Sequence, residues 1–293
     1  MTDAPLSWRL KDRTLDLGRR TLVMGVVNVT PDSFHDGGRY QTGQAALDQA
    51  LRLVKEGADL IDIGGESTRP GSAGISPEEE RERVVPVIKE LAGKVTIPIS
   101  VDTKKAAVAR AALDCGASII NDISGGRADP DLRPLAAETK AGLILMHMRG
   151  EPATMQSLTD YDDLLGEIKA ELSQRIEEAL AAGVAAEAIC LDPGIGFAKT
   201  AQQNLVLIKG LGRLLSLGLP LLAGPSRKSF IGRALEEQGL PDGTDDRLEG
   251  TLAAVTLCAL AGAHLVRVHD VAGARRSLAV ADAVRTGRFV GIQ

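Results

Sequence analysis

The strongest constraint on this chain is an alternation: short runs of Ile, Val and Leu recur along its 293 residues, separated by longer stretches with helical periodicity. The apolar runs are 21–27, 59–63, 98–101, 118–120, 142–146, 188–191, 220–223 and 264–268. They are apolar on both faces, as strands buried on both sides must be. Helical stretches fall at 44–56, 77–92, 104–114, 164–182, 202–217, 248–261 and 272–285. One start is marked clearly, because Ser76 and Pro77 followed by Glu78, Glu79 and Glu80 give a cap, a proline and acids at a helix N-terminus.

Eight such units predict a (β/α)8 barrel. A doubly wound open sheet is the alternative, but it carries a Gly-x-Gly-x-x-Gly turn after its first strand. Here the first strand runs instead into Asn28-Val29-Thr30-Pro31. No linker, low-complexity tract or internal repeat interrupts the pattern. A single domain over residues 1–293 is therefore expected, with the barrel core at about 21–287 and a short hairpin before Thr21 placed to plug one barrel end.

With aromatic residues at only 2%, the core must be aliphatic. Lys and Arg number 34 against 39 Asp and Glu, a net charge of −5 that argues against a nucleic-acid partner. The polar start Met1-Thr2-Asp3-Ala4-Pro5 is unlike a signal peptide. No apolar run approaches the ~20 residues of a membrane span. Cys115, Cys190 and Cys258 lie far apart in apolar segments, which predicts reduced core residues and a cytoplasmic setting.

Nearly every predicted strand ends in a polar residue: Asn28, Asp62, Asp102, Asn121 with Asp122, His147, Asp192, Ser226-Arg227-Lys228, and Arg267 with His269. Asp, Asn and Ser at such positions also cap helices. Arg, Lys and His are poor caps, so capping does not account for the set. In a barrel these ends converge on the mouth where active sites are built. Lys228, Arg267 and His269 follow the last two strands, where barrels often hold phosphate, and they suit a multiply charged anion. Asp102, Asn121 and Asp192 suit a flat heterocycle presenting amino and ring N–H donors. For Asp192 a turn before Pro193-Gly194 is the competing explanation. His264 opens a strand and reads as structural. Neither a serine nor a cysteine nucleophile motif is present, and zinc-ligand clusters are lacking. Magnesium, which needs one or two side-chain oxygens beside substrate phosphates, remains compatible.

These segments resemble the dihydropteroate synthase family. The matching stretches are 28–38 (NVTPDSFHDGG), 62–71 (DIGGESTRPG), 100–103 (SVDT), 121–125 (NDISG), 145–150 (LMHMRG), 192–199 (DPGIGFAK), 226–232 (SRKSFIG) and 267–271 (RVHDV), in family order. Ala198 stands where the family often has glycine, Arg149 where glutamine or lysine is common, and His35 where serine is common. The resemblance implies condensation of 6-hydroxymethyl-7,8-dihydropterin diphosphate with 4-aminobenzoate, releasing pyrophosphate. It implies that Asp102, Asn121, Met146, Asp192 and Lys228 hold the pterin. Asn28, Thr68, Arg69, Arg267 and His269 would meet the diphosphate, with Asn28 also on Mg2+. Phe34, Thr68, Pro70, Phe197 and Ser229 would form the aminobenzoate pocket. Asn28, Lys228, Arg267 and His269 are the implied catalytic set, and a homodimer is the implied assembly. Two alternatives share the fold: a pterin-binding methyltetrahydrofolate methyltransferase domain, which has no diphosphate to hold, and a catalytically silent pterin-binding homologue.

Overall fold

In the computed structural model, which describes residues 6–30, 39–67, 72, 74–243 and 247–289, the strands fall on the predicted runs. They are β3 (Leu22–Asn28), β4 (Leu60–Gly64), β5 (Ile99–Asp102), β6 (Ile119–Asp122), β7 (Gly142–Met146), β8 (Ile189–Asp192), β9 (Leu222–Ala223) and β10 (Leu265–Val268). All pair in parallel in the order β8-β7-β6-β5-β4-β3-β10-β9. A bridge between Leu191 and Leu221, with the Leu191 N–H donating to Pro220 O at 2.8 Å, joins the two ends of that order. The result is a (β/α)8 barrel.

Helices α1 (Arg39–Lys55), α2 (Pro77–Ala92), α3 (Ala106–Asp114), α4 (Leu132–Thr139), α5 (Leu164–Ala181), α6 (Ala201–Lys209), α7 (Ser229–Glu236), α8 (Leu248–Leu260) and α9 (Val271–Thr286) follow the strands. The Ser76 hydroxyl accepts from the Glu79 N–H at 3.1 Å, so α2 starts as its sequence requires. Two corrections follow from length and glycine. The stretch 202–217 is not one helix: α6 stops at Gly210 and a 3-10 segment, Leu211–Leu217, continues the path. The eight-residue helices α4 and α7 add to the expected set; each is shorter than the stretches that mark a helix in sequence.

Before the barrel, β1 (Ser7–Arg9) and β2 (Thr14–Asp16) form the expected antiparallel hairpin. It closes the lower, amino-terminal end of the barrel. Trp8 is fully buried there and its indole N–H donates to Ala188 O at 2.8 Å. Around it pack Met24, Leu60, Ile119, Ile144, Cys190, Leu222 and Leu265, one inward residue from each of seven strands. Their sequence neighbours Val23, Ile61, Ile120, Leu143, Ile189, Leu191, Ala223 and Val266 belong to the other core, between sheet and helices.

Strand side chains alternate, so the next inward layer lies two residues further on. That step leads from Leu60 to Asp62, from Ile119 to Asn121, from Cys190 to Asp192 and from Leu265 to Arg267. An apolar floor thus gives way, within one pleat repeat, to a polar layer.

Candidate active site

Arg267 organises that layer. Its Nε donates to Asp62 Oδ2 at 2.6 Å and its Nη2 donates to Asp102 Oδ2 at 2.7 Å. Asn121 Nδ2 donates to the same Asp62 oxygen at 2.9 Å. The other Asp62 oxygen, Oδ1, is buried and takes no hydrogen bond. Burial pushes the Asp102 carboxyl up to about 7, against the opposing pull of Arg267. The Arg267 guanidinium, held between two acids, is raised above its ordinary value and stays charged.

Backbone register aligns the neighbours. Asn28 pairs with Gly64, Gly64 with Asp102 and Asp102 with Asn121, a row across four strands, while Met146 pairs with Asp192. Met146 is buried in a small apolar cluster with Ile123, Met148, Met155, Phe197 and Ala198. Asp192 is also buried, and its Oδ1 accepts the Gly194 N–H at 2.8 Å. The turn explanation is therefore true of one oxygen. Burial raises this carboxyl too, opposed by the charges of Lys228 and Arg267.

Lys228 places Nζ 3.9 Å from the centroid of the Phe197 ring, a cation–π contact. Burial lowers it to about 8, leaving it mostly protonated near neutrality. The approach depends on Gly196, whose φ is +84° and where a Cβ would fall 2.8 Å from Lys228 Cδ. His269 Nδ1 lies 3.0 Å from Ser226 Oγ, which also accepts the His269 backbone N–H at 3.2 Å. With the hydroxyl oxygen accepting there, its proton is available to Nδ1, leaving an Nε2–H to donate. Burial, with Arg267 and Arg227 nearby, lowers His269 to about 4, so the ring is neutral.

Asn28, Asp102, Asn121, Met146, Asp192, Phe197, Lys228, Arg267 and His269 thus converge at the carboxyl ends of the strands. Ser229 is exposed as the first residue of α7. Phe34, Thr68, Arg69 and Pro70, with His35, lie outside the described residues. Three strand-end residues turn elsewhere. Asp122 and His147 have the outward parity: Asp122 accepts from the Ser124 N–H at 2.8 Å and its hydroxyl at 2.7 Å, and His147 faces Lys199. Arg227 pairs with both Asp270 oxygens, at 3.1 and 2.9 Å, linking the loops after β9 and β10. Asp62 and Ser226 hold site residues without having been assigned a role from sequence. The inward parity two residues beyond Leu60 would have singled out Asp62.

Chemically, this mouth offers acceptors buried beside three nitrogen groups, Lys228, Arg267 and His269. It can hold a planar donor-rich ring and an anion together. Comparison with known proteins agrees. The pterin binding enzyme family matches residues 24–269. A dihydropteroate synthase of Synechocystis is 51% identical over 92% of this chain and 92% of its own length, and that of Bacillus subtilis is 46% identical over 94% and 92%. A solved structure of Xanthomonas albilineans dihydropteroate synthase with 4-aminobenzoic acid superposes at a TM-score of 0.88, with 44% identity, covering 96% of this chain and 99% of that one. The enzyme from the same organism in complex with 7,8-dihydropteroate gives a TM-score of 0.85 and 42% identity, covering 95% and 98%. The chain belongs to the dihydropteroate synthases of the pterin-binding enzyme family.

Proposed function

We propose that this protein condenses 6-hydroxymethyl-7,8-dihydropterin diphosphate with 4-aminobenzoate to give 7,8-dihydropteroate and pyrophosphate. The observation that carries this reading is the polar layer in which Asp102, Asn121 and Asp192 stand beside Lys228, Arg267 and His269. The acids and the amide accept from and orient the pterin's amino group and ring N–H donors, with Met146 against the ring. The 4-aminobenzoate nitrogen contributes its lone pair to the new N–C bond at the pterin methylene. The C–O bond breaks with its electrons passing to the diphosphate, and the amine loses a proton. Lys228, Arg267 and the His269 Nε2–H stabilise the negative charge that builds on the leaving group, which is where fixed charge lowers a barrier. Phe197 and Ser229, with Phe34, Thr68, Arg69 and Pro70, are assigned to the aminobenzoate and diphosphate side by the resemblance alone.

A magnesium ion fits one mode here. Among the described residues no group of three His, Cys, Asp or Glu side chains could hold a metal. An amide oxygen from Asn28 completed by substrate phosphate oxygens is the donor set that Mg2+ accepts, and it would neutralise charge on the diphosphate.

Pyrophosphate release from the purified protein with both substrates and Mg2+ tests the reading. Release with stoichiometric dihydropteroate is expected; pterin binding without release would make the chain a silent homologue. Among the described residues no helix is long and apolar enough to cross a membrane; the cytoplasmic setting rests on the three free cysteines. Leu257 and Leu260 on α8 and Val280 and Val284 on α9 are exposed large apolar residues on two helices that pack together, a face suited to a second copy in a homodimer. Sedimentation equilibrium reads the mass.

A further inference from the structure

Against His147, on the outward side of the strand ends, lies a charged group that the proposed reaction does not use. Lys199 is 3% exposed, and its ammonium has three uncharged acceptors: Gly194 O at 3.1 Å, Phe197 O at 3.0 Å and His147 Nδ1 at 3.0 Å. Three N–H donors meet three acceptors, so the protonated form is saturated. Two of these acceptors lie within the segment 192–199, which carries Asp192 at one end and Phe197 near the other. That segment is under conformational constraint. Gly194, Gly196 and Ala198 have φ of +70°, +84° and +49°, and a Cβ at Gly194 would fall 1.9 Å from His147 O. The loop is pressed against the end of β7, and the His147 N–H also donates to Asp192 O at 2.8 Å.

A ring of contacts leads from the ammonium back to the loop. His147 Nε2 is 3.2 Å from Glu171 Oε2, although without hydrogen-bond geometry. Glu171 Oε1 accepts from Arg149 Nε at 2.8 Å. The Arg149 guanidinium lies 3.9 Å from the centroid of the Tyr161 ring, and the Tyr161 hydroxyl donates to Ala198 O at 3.0 Å. Two of the three residues noted as departing from the family, Arg149 and Ala198, fall on this ring.

We propose that Lys199 is a positioning residue for the pterin site: its ammonium, shared among Gly194 O, Phe197 O and His147 Nδ1, fixes the loop that presents Asp192 and Phe197. It acts on binding, through the shape of the pocket, and not on bond breaking. This rests on the pterin reading of the site. Deprotonation removes one donor and turns a lone pair toward an acceptor, so the brace loosens. The groups bearing on Lys199 are His147 at the end of β7, Asp192 at the end of β8, Glu171 and Arg175 on α5, and Arg149. Burial exceeds their net attraction and lowers the amine to about 7, within reach of ordinary buffers.

The experiment measures the Kd of 6-hydroxymethyl-7,8-dihydropterin by calorimetry, with KM and kcat for its diphosphate, in wild type and Lys199→Met from pH 6 to pH 9. At pH 6 the variant should bind about ten-fold more weakly with kcat within about three-fold. The ratio of the two affinities should shrink toward pH 9, because the wild type then loses the brace that the variant never had. Asp102 and Lys228 titrate in both proteins and cancel in the ratio. His147→Leu, which removes one acceptor, should weaken binding by a smaller factor and is the variant to read should Lys199→Met not fold. Equal affinities, a ratio flat with pH, or a fall in kcat with unchanged KM would overturn the assignment while leaving the synthase reading intact. A wild-type protein that binds no pterin would overturn both.

Discussion

The two ends of the barrel are built from the same strands, yet they treat their acids in opposite ways. At the lower end Asp59 and Asp282 are both provided for. Asp59 accepts from Arg20 at 2.7 and 2.6 Å and from the Val23 N–H at 2.8 Å. Asp282 takes the Thr21 N–H at 2.8 Å, its hydroxyl at 3.0 Å and Arg285 at 2.9 Å. His264 Nδ1 accepts from the Leu221 N–H at 3.1 Å and is lowered to about 4 by burial, a structural role as its sequence position suggested. At the upper end Asp62 keeps one buried oxygen unbonded, Asp102 is driven up to about 7, and Lys228 rests on a ring. Buried polar groups are normally satisfied within the fold. Where an unbonded oxygen and perturbed ionisation coincide, as with Asp62 beside Asp102, hydrogen-bonding potential is held in reserve for a ligand.

The largest effect should come from Arg267→Ala. It leaves Asp62 and Asp102 facing one another across the layer without their cation, a change of about 3–5 kcal/mol for a broken buried pair. Turnover should fall by two orders of magnitude or more, and affinity for the pterin diphosphate should fall further than affinity for the pterin alcohol. Equal losses for the two ligands would make Arg267 a support of the fold, as Arg20 is at the other end. Asp192→Asn comes next. One oxygen already serves the Gly194 N–H, so the amide must place its NH2 where the pterin expects an acceptor, or give up the turn. Loss of about 2–4 kcal/mol in pterin affinity is expected by calorimetry; unchanged affinity would reduce Asp192 to a turn residue. Asp59→Asn supplies the contrast. It should cost about 1–2 kcal/mol of stability, discounted for partial solvent access, with KM for both substrates unchanged. A shift in KM would erase the distinction between the ends.

Much of this contrast is legible in the sequence. Strand alternation located each strand, and the polar residue two positions after Leu60, Ile119, Cys190 or Leu265 marked the layer. What parity does not give is who meets whom. Arg267 reaches Asp62 from 205 positions away in the chain, and only barrel closure brings them together. Parity does explain why His147 and Asp122 left the set: each is one residue past an inward neighbour, Met146 or Asn121, and so points to the helices. A lysine just before a helix, as Lys199 is, ordinarily reads as a solvated charge. Its burial follows from the left-handed turns around it, which sequence shows only as glycines and one alanine.

Ala198 gives the finest discrimination between the ends. At the lower end a left-handed turn is made by Gly18, at φ +93° with open space around it; at the upper end Ala198 adopts φ +49° while fully buried. Replacement by glycine relieves about 1–2 kcal/mol of left-handed strain. Against this, glycine loses about 0.5–1 kcal/mol more backbone entropy on folding. The buried methyl, packed in the cluster with Met146 and Phe197, forfeits ~0.8 kcal/mol when removed. These terms nearly cancel, so Ala198→Gly should move the denaturation free energy by no more than about 0.5 kcal/mol. The Tyr161 hydroxyl bonds the backbone carbonyl, which glycine retains, so pterin KM should stay within about two-fold. A gain above about 1 kcal/mol would mean the methyl is poorly packed and the strain dominates. A loss of that size, with a raised KM, would mean that the methyl itself holds the Phe197 ring in place beneath Lys228.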